Sequence, residues 1–509
     1  MSRLTRISIL LAVCFALDKA AAFLRQVIIA RQFSFSAELD AFNVANNVPD
    51  LIYAVISGGA LAMALIPVLS ATLTTQGRDA LWEVFSHVAN LVFLVTAGLS
   101  IVVALVAMPL VRAEVGIAPG FGVEQQRVVV QLMRLNLIAT LIFSISGLVM
   151  SALQANQHFL FPALAPLFYN VGQIFGALIL APGEGYRIAG ITLPAMGMGV
   201  YGLVAGVIVG AFLHLAIQIP ALIRYRFRWS AGLGLNNPQV VQVLKLMAPR
   251  ILTVGFVQVI FLVRDNLASR LPEGAVSALT YGWMIQQVPE TLIGTAIATA
   301  MLPTLSELAA QKQEGLFHES IQRAVRVLIG ITLPIAAVLA LGLGPVMQAV
   351  FALNDAHAST LLWATRGFLA GLVGHSLMEV AARSFYARQR PIPPMLAGLG
   401  NMLLYIGLGS ALYRPLGAAG ISLTDAVCFT SQAVFLLVLL GVQTGHFIRL
   451  GDSLTRAVLA ALAGGAVTFA VLNIGVLSSP LLASLLAMTA GGLVAIPFIF
   501  KELKLLLRL

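Results

Sequence analysis

Residues 7–31 read ISILLAVCFALDKAAAFLRQVIIAR. At about 1.5 Å per residue, a helix of this length crosses the roughly 30 Å of hydrocarbon in a bilayer. Lipid offers backbone amides no partner, so the run must be helical. Yet it holds Asp18, Lys19 and Arg25. A cation at the bilayer centre costs about 2.5–3.5 kcal/mol on insertion scales, and helices that keep one usually turn it toward a water-filled cavity. The placement points to a membrane protein with a cationic cavity and a cargo that carries phosphate or carboxylate.

The rest of the chain agrees. It has 509 residues, 59% hydrophobic and 10% charged, too few charges to cover a soluble surface. Apolar runs recur from end to end and predict an all-α polytopic membrane protein with fourteen transmembrane helices: 7–31, 40–73, 83–110, 127–152, 159–181, 192–222, 239–263, 275–306, 321–345, 358–382, 392–412, 416–441, 454–473 and 480–500. Span 40–73 exceeds a straight crossing and is expected to tilt or bend at Pro49 or Gly58-Gly59.

The net charge of +10 does not imply nucleic acid, because of where the cations fall. With the N-terminus inside, 18 of the 30 Lys and Arg lie in cytoplasmic segments and 7 in outer ones. That is the positive-inside bias, and it predicts both termini in the cytoplasm of a multi-pass inner-membrane protein. The remaining five, Lys19, Arg25, Arg134, Arg250 and Arg366, lie inside spans. Cys14 and Cys428 also fall inside spans and suggest neither a disulfide framework nor a metal site. Arg3 and Arg6 before an apolar stretch resemble a signal peptide, but the run continues past the small residues and is read as a retained span.

A weak internal repeat links NNVPDLI (46–52) with IQQVPETLI (285–293), IPVLSATLTTQG (66–77) with LPTLSELAAQKQEG (302–315), and LQANQHFLFPALAPL (153–167) with YARQRPIPPMLAGL (386–399). The matched prolines are Pro49 and Pro289, Pro67 and Pro303, Pro162 and Pro394, and Gln157 matches Gln389. The repeat predicts two pseudo-symmetric six-helix lobes, 1–225 and 226–445, followed by two extra C-terminal helices in 446–509. Transporters built from parallel repeats place the cargo site at the repeat interface. The last two spans carry no ionisable residue in their apolar stretches and are expected to face lipid.

Lys19 and Arg25 are six residues apart, about 240° around a helix, so they do not share one face, whereas Asp18 and Arg25 do. They are read as binding an anionic head group, against the plainer alternative of a local ion pair with Asp18 that only permits insertion. In the second span Asp40, Asn43, Asn46, Asn47 and Asp50 form a polar stripe. Asp40 is either a cavity residue or a helix cap at the interface. Asp50 lies deeper, as a cavity wall or a counter-ion to Lys19. Arg250 and the Arg264-Asp265 pair lie near interfaces, where snorkelling accounts for them. Glu290, His375, Glu379 and Asp425 are isolated ionisable groups open to proton coupling, and His214 and His446 read as structural or surface residues. No Walker loop, dinucleotide fingerprint, nucleophile elbow or metal-ligand spacing occurs, and no cofactor is expected.

FLRQVIIARQF (23–33), ELDAFNVANNVPDLIYAVISGGALAMALIPVLS (38–70), QVIFLVRDNLASRLPEGAVSALTYGWMIQQVP (258–289), MLPTLSEL (301–308) and RSFYARQRPIPP (383–394), in that order, resemble the MurJ (MviN) family of the MOP exporter superfamily. The resemblance implies a flippase for lipid II, the undecaprenyl-pyrophosphate-linked peptidoglycan precursor, with a cationic cavity between two lobes and a groove for the lipid tail. It implies membrane lipids and cell-wall synthesis proteins as partners and a monomeric transporter. By position, Arg25 matches a cavity arginine, Lys19 stands where the family usually has arginine, and Asp40-Ala41-Phe42 matches its Asp-Ala-Phe. Gln26, Tyr53, Gly58 and Met284 replace an aspartate, an arginine, a glutamate and a cavity arginine, and Arg264-Asp265 reverses an Asp-Arg pair. The eleventh span lacks a clear match to the sodium ligands proposed for some members. The set of expected head-group residues is therefore Lys19, Arg25, Asp40, Asp50 and Arg264; either Arg250 or Arg264 stands in for the cation lost at Met284, or the cargo differs. Alternative readings are an exporter of another undecaprenyl-linked glycan or other MOP substrate, a membrane glycosyltransferase or ligase, and a non-transporting scaffold of the cell-wall machinery.

Overall fold

The computed structural model describes residues 3–56, 59–188, 190–474 and 477–506. It divides into two compact units, 1–262 and 263–509. The first holds α1 (Arg3–Phe33), α2 (Ala37–Ile56), α3 (Gly59–Thr75), α4 (Arg78–Arg112), α5 (Val123–Ala155), α6 (Leu160–Phe175, extended by a π turn, Gly176–Leu180), α7 (Val200–Ala216), α8 (Ile219–Arg224) and most of α9 (Pro238–Ala268). A two-residue hairpin, β1 (Arg187–Ile188) with β2 (Ile191–Thr192), pairs Arg187 with Thr192. The second unit holds α10 (Ala275–Pro289), a π turn (Glu290–Thr295), α11 (Ala296–Ala310), α12 (Glu314–Phe351), α13 (Asp355–Ala370), α14 (Leu372–Ala387), α15 (Ile392–Thr444), α16 (Ser453–Ile474), α17 (Pro480–Ala495) and α18 (Phe500–Leu506).

Among the described residues eight helices are long and apolar enough to cross a membrane, or nine if α17 and α18, bent by 85°, count as one. The difference from fourteen has local causes. α15 carries two of the expected spans in one element, 53 residues long, because its helices meet at a break at Gly417 (φ 60°, ψ −141°). The span expected at 358–382 falls instead on α13 and α14, which are 16 residues each and separate at Gly371. Span 40–73 divides into α2 and α3, and α2 runs helically through Pro49. Residues 57 and 58, including the Gly58 of the expected bend, lie outside the described residues.

Small residues set the closest helix contacts. A Cβ on Gly176 would stand 2.6 Å from the Gly206 Cα, and one on Gly206 2.7 Å from the Gly176 Cα. The backbones of α6 and α7 therefore touch, which only glycine permits. One turn along α7, Gly210 leaves room for Tyr169 of α6, whose ring would lie 2.7 Å from a Cβ there.

Gln157 and Gln389, matched in the repeat, both adopt a left-handed backbone (φ 58° and 57°) at the end of a helix. The same two bonds close each turn: Gln157 N–H to Gln154 O and His158 N–H to Leu153 O, then Gln389 N–H to Tyr386 O and Arg390 N–H to Phe385 O, all 2.9 Å. This 6→1 closure satisfies carbonyls that a helix end leaves open.

In the second unit α11, α12, α14 and α15 share a core built on Phe317, Leu328, Phe385 and Leu436. α16 and α17 pack on α12 and on each other with Ala457, Ala460, Gly464, Thr468, Ala487 and Gly491 buried, Gly491 lying against Gly464 and Thr468, while Leu462, Phe469, Leu485 and Leu493 are exposed. α18 folds back so that Glu502, fully buried, meets Arg456 Nε at 3.2 Å and packs against Gly330.

Candidate functional site

α1 packs on α6, and the contact centres on one amide. Arg25 Nη1 donates to Asn170 Oδ1 at 2.9 Å, and Asn170 Nδ2 donates to Asp18 Oδ1 at 2.8 Å. Asn170 is 4% exposed and also reaches Pro166 O at 3.2 Å. Asp18 and Arg25 share a helix face, as their seven-residue spacing requires, but the amide stands between them. Among the described residues Asp18, Lys19 and Arg25 form no ion pair. The Arg25 Nε is buried and lacks a hydrogen-bond partner. Lys19 is exposed, on a different side of α1. Both charges are thus available to an incoming anion, one of them with a donor already stripped of water.

Asp50 is exposed on α2. Asp50, Arg25 and Tyr53 all lie close enough to the Tyr169 hydroxyl to act on it electrostatically. Phe143 joins the tyrosines, with its ring 5.6 Å from Tyr53 and 5.0 Å from Tyr169. Behind it His214 Nδ1 lies 2.6 Å from Ser146 Oγ, which also accepts from Gln218 Nε2 at 2.9 Å. Within the first unit, then, a basic group from α1, an acidic group from α2 and a phenol from α6 form one polar cluster backed by aromatic rings.

The remaining stripe residues go elsewhere. Asn46 Oδ1 accepts from Asn136 Nδ2 at 2.6 Å, so this part of α2 serves packing on α5. Asp40 is 2% exposed and partnered. It sits in the first turn of α2 and is not its cap: that place belongs to Ser36, whose Oγ accepts from Leu39 N–H at 3.4 Å. Arg264 belongs to the second unit, 7% exposed, with Nε on Asp265 Oδ1 at 2.9 Å. Its charge is already balanced inside the protein, and Met284, half-buried, brings no cation to α10. The Arg250 side chain lies outside the described residues. Sequence reasoning missed Asn170 and Tyr169. Their signal was slight: a Tyr-Asn pair, followed by Gln173, in a stretch of 160–180 that is otherwise apolar.

A family model described as lipid II flippase MurJ matches residues 29–490. A lipid II flippase MurJ of Burkholderia cenocepacia is 30% identical over 434 residues, 82% of this chain and 81% of that protein. A probable lipid II flippase MurJ of Rhizobium meliloti is 28% identical over 448 residues, 85% of this chain and 80% of that one. A solved lipid II flippase MurJ in an inward closed conformation superposes with a TM-score of 0.77 at 19% identity, covering 96% of this chain and 98% of its own. An inward-facing multidrug resistance MATE transporter of the MOP superfamily gives 0.71 at 13% identity over 86% of this chain and 98% of its own, a likeness of fold alone. Matched along nine-tenths of its length, with a relative at the same scale on both sides, this chain belongs to the lipid II flippase MurJ family.

Proposed function

We propose that this chain moves lipid II across the inner membrane by alternating access, and that Lys19 and Arg25 hold its pyrophosphate. The observation that carries the assignment of residues is the state of the two cations. Arg25 is held in place by a neutral amide, keeps a buried Nε without an acceptor, and has no carboxylate on it; Lys19 is exposed without a partner among the described residues. Charge-assisted hydrogen bonds are worth about 1.5–3 kcal/mol each. A guanidinium can also fork onto two phosphate oxygens, whereas Lys19 acts as a point charge.

Asp50 supports the same reading as a counter-charge for Arg25 and Lys19 between rounds of binding. Asp40 and Arg264, both buried and partnered, then do not touch the head group. Both termini face the cytoplasm in this reading, and the transporter works as a monomer without a cofactor. Cell-wall synthesis proteins are its expected partners.

Complementation of a flippase-depleted cell tests this. Arg25→Ala abolishes growth and Lys19→Ala weakens it, with both variants present in the membrane at normal amounts. Full growth on Arg25→Ala sinks the assignment of that residue. In proteoliposomes, lipid II is translocated faster than undecaprenyl pyrophosphates carrying other glycans. Equal rates for all of them would leave only a general undecaprenyl-pyrophosphate flippase.

A further inference from the structure

His375 of α14 and Asp425 of α15 are read from the sequence as isolated ionisable groups. In the second unit they meet: His375 Nε2 lies 2.7 Å from Asp425 Oδ2, and the residues are 5% and 4% exposed. Phe429 stacks on the imidazole at 4.0 Å, and Trp283 meets its edge at 5.4 Å. With one proton between them the pair is neutral overall, whether imidazolium with carboxylate or imidazole with carboxylic acid. Without that proton a lone negative charge is buried in a bilayer, which is costly. The proton count belongs to the pair and not to either residue.

Among the described residues, the packed helices bring these charged and titratable groups. From α9 come Arg264 and Asp265, paired at 2.9 Å. α15 adds the Tyr405 phenol and the Cys428 thiol. α10 adds Tyr281, packed on Phe351 at 5.3 Å. The titratable groups of α12 run from Glu314 to Arg326, at the level of Arg388, which pairs with Glu314 at 3.0 Å. α13 brings Asp355, His357 and Arg366, whose Nε is held by Ala340 O at 2.8 Å, and α11 brings Glu307. On α14 itself Glu379 holds Arg383, beside Tyr386.

Further polar groups lie beside the couple in sequence on α14 and on α10 with its π turn. Ser376, fully buried, has an Oγ without a partner. Gly294 of the π turn approaches it so closely that a Cβ there would stand 2.7 Å from that oxygen. The turn begins at half-buried Glu290, whose Oε1 accepts from Thr295 at 3.0 Å. Gln286, three residues after Trp283 on α10, is also fully buried with both amide atoms unpaired. π turns gather at functional sites, and ionisable groups at membrane depth mark proton relays.

We propose that the His375–Asp425 couple is a proton-binding site of the transport cycle, loaded and unloaded past Ser376 and the π turn that starts at Glu290. The proposal goes beyond the flippase reading and rests on it only for its transport readout. The first test needs no cargo. Infrared difference spectra of the purified full-length protein, titrated in pH, should contain a carboxyl or imidazole protonation signal. Asp425→Asn should remove it and His375→Gln should move its midpoint, both variants keeping the shape and a hydrogen bond. A spectrum of the unmodified protein without a pH-dependent carboxyl or imidazole signal, or one untouched by either variant, overturns the proposal. The second test imposes a pH gradient on proteoliposomes at clamped membrane potential. Lipid II flipping should change several-fold when the gradient is reversed, and His375→Gln should lose that response. An unmodified protein indifferent to the gradient, or a variant that keeps the full response, also overturns it. Absence of lipid II flipping under every condition would count against the flippase reading, while the infrared titration still decides the proton site.

Discussion

Asn170 is the residue on which the proposed site turns. Its amide accepts from Arg25 and donates to Asp18, so it holds two opposite charges on one helix face without letting them close on each other. Asn170→Leu removes the spacer. Asp18 and Arg25 should then collapse into a direct pair, and the arginine loses its claim on an outside anion. One charge-assisted bond of about 1.5–3 kcal/mol corresponds to roughly 10- to 100-fold in affinity. Complementation should fail while the amount of protein in the membrane, read by quantitative blot, stays normal; wild-type growth would show that the spacer is dispensable. Outside the spans, His158 of the α5–α6 connection reports on acid stability. Burial, and then the nearby positive charge of Arg224, hold its imidazole below the ordinary range. Its Nε2 is buried without a partner, and its ring lies 5.1 Å from Phe161. A lowered imidazole means that the unfolded chain binds the proton more readily than the folded one. Stability is therefore full above the unfolded-state value and declines as pH falls from there toward the folded-state value. Thermal unfolding followed by size-exclusion fluorescence should show this acid loss, and His158→Gln should reduce it.

Helix elements in this chain are held by what their glycines omit. α6 and α7 meet backbone to backbone at Gly176 and Gly206, and the same close approach fixes Tyr169 against Gly210. The site residues Tyr169 and Asn170 ride on α6, so the contact positions chemistry as well as fold. Gly206→Leu has no space to occupy and must push the helices apart. Overpacking of a filled interface costs about 1–3 kcal/mol, and here the obstacle is main chain, which cannot rotate away. The expected result is a lower unfolding temperature and weaker complementation together. Gly206→Ala should give a milder form of both. A Leu variant with unchanged unfolding temperature would mean that the helices are free to separate. The second unit uses glycine differently: Gly417 takes φ 60° and lets α15 turn between its two apolar runs, with Pro415 just before it.

At the scale of the whole molecule, what was legible was what one segment determines alone. The apolar runs of α4, α5, α12 and α16 are self-contained, and the breaks at Gly417 and Gln157 follow from turn chemistry within a few residues. The face shared by Asp18 and Arg25 followed from helical period. What was hidden needed two distant segments: Asn170 is 145 positions from Arg25, and His375 is 50 from Asp425. Arg264 misled for a different reason: its partner Asp265 is the next residue, but that both are buried and paired is visible only in the structure. Orientation is the other property that the whole chain decides, because no single loop fixes it. The 18 to 7 split of Lys and Arg rests on assigning alternate connections to opposite sides. The split therefore makes a prediction about two short segments. The turn between α4 and α5 contains Glu114, which is exposed, and should face outward; the turn between α11 and α12 contains exposed Lys312 and should face the cytoplasm. Cys14 and Cys428 are both buried, so a reporter thiol has little competition. In intact cells with a permeable outer envelope, Glu114→Cys should react with a membrane-impermeant maleimide and Lys312→Cys should not. After lysis both should react. The reverse pattern inverts the topology and would put the proposed pyrophosphate cations on the wrong side for loading, while labelling of both in intact cells would mean that an even number of spans separates the two.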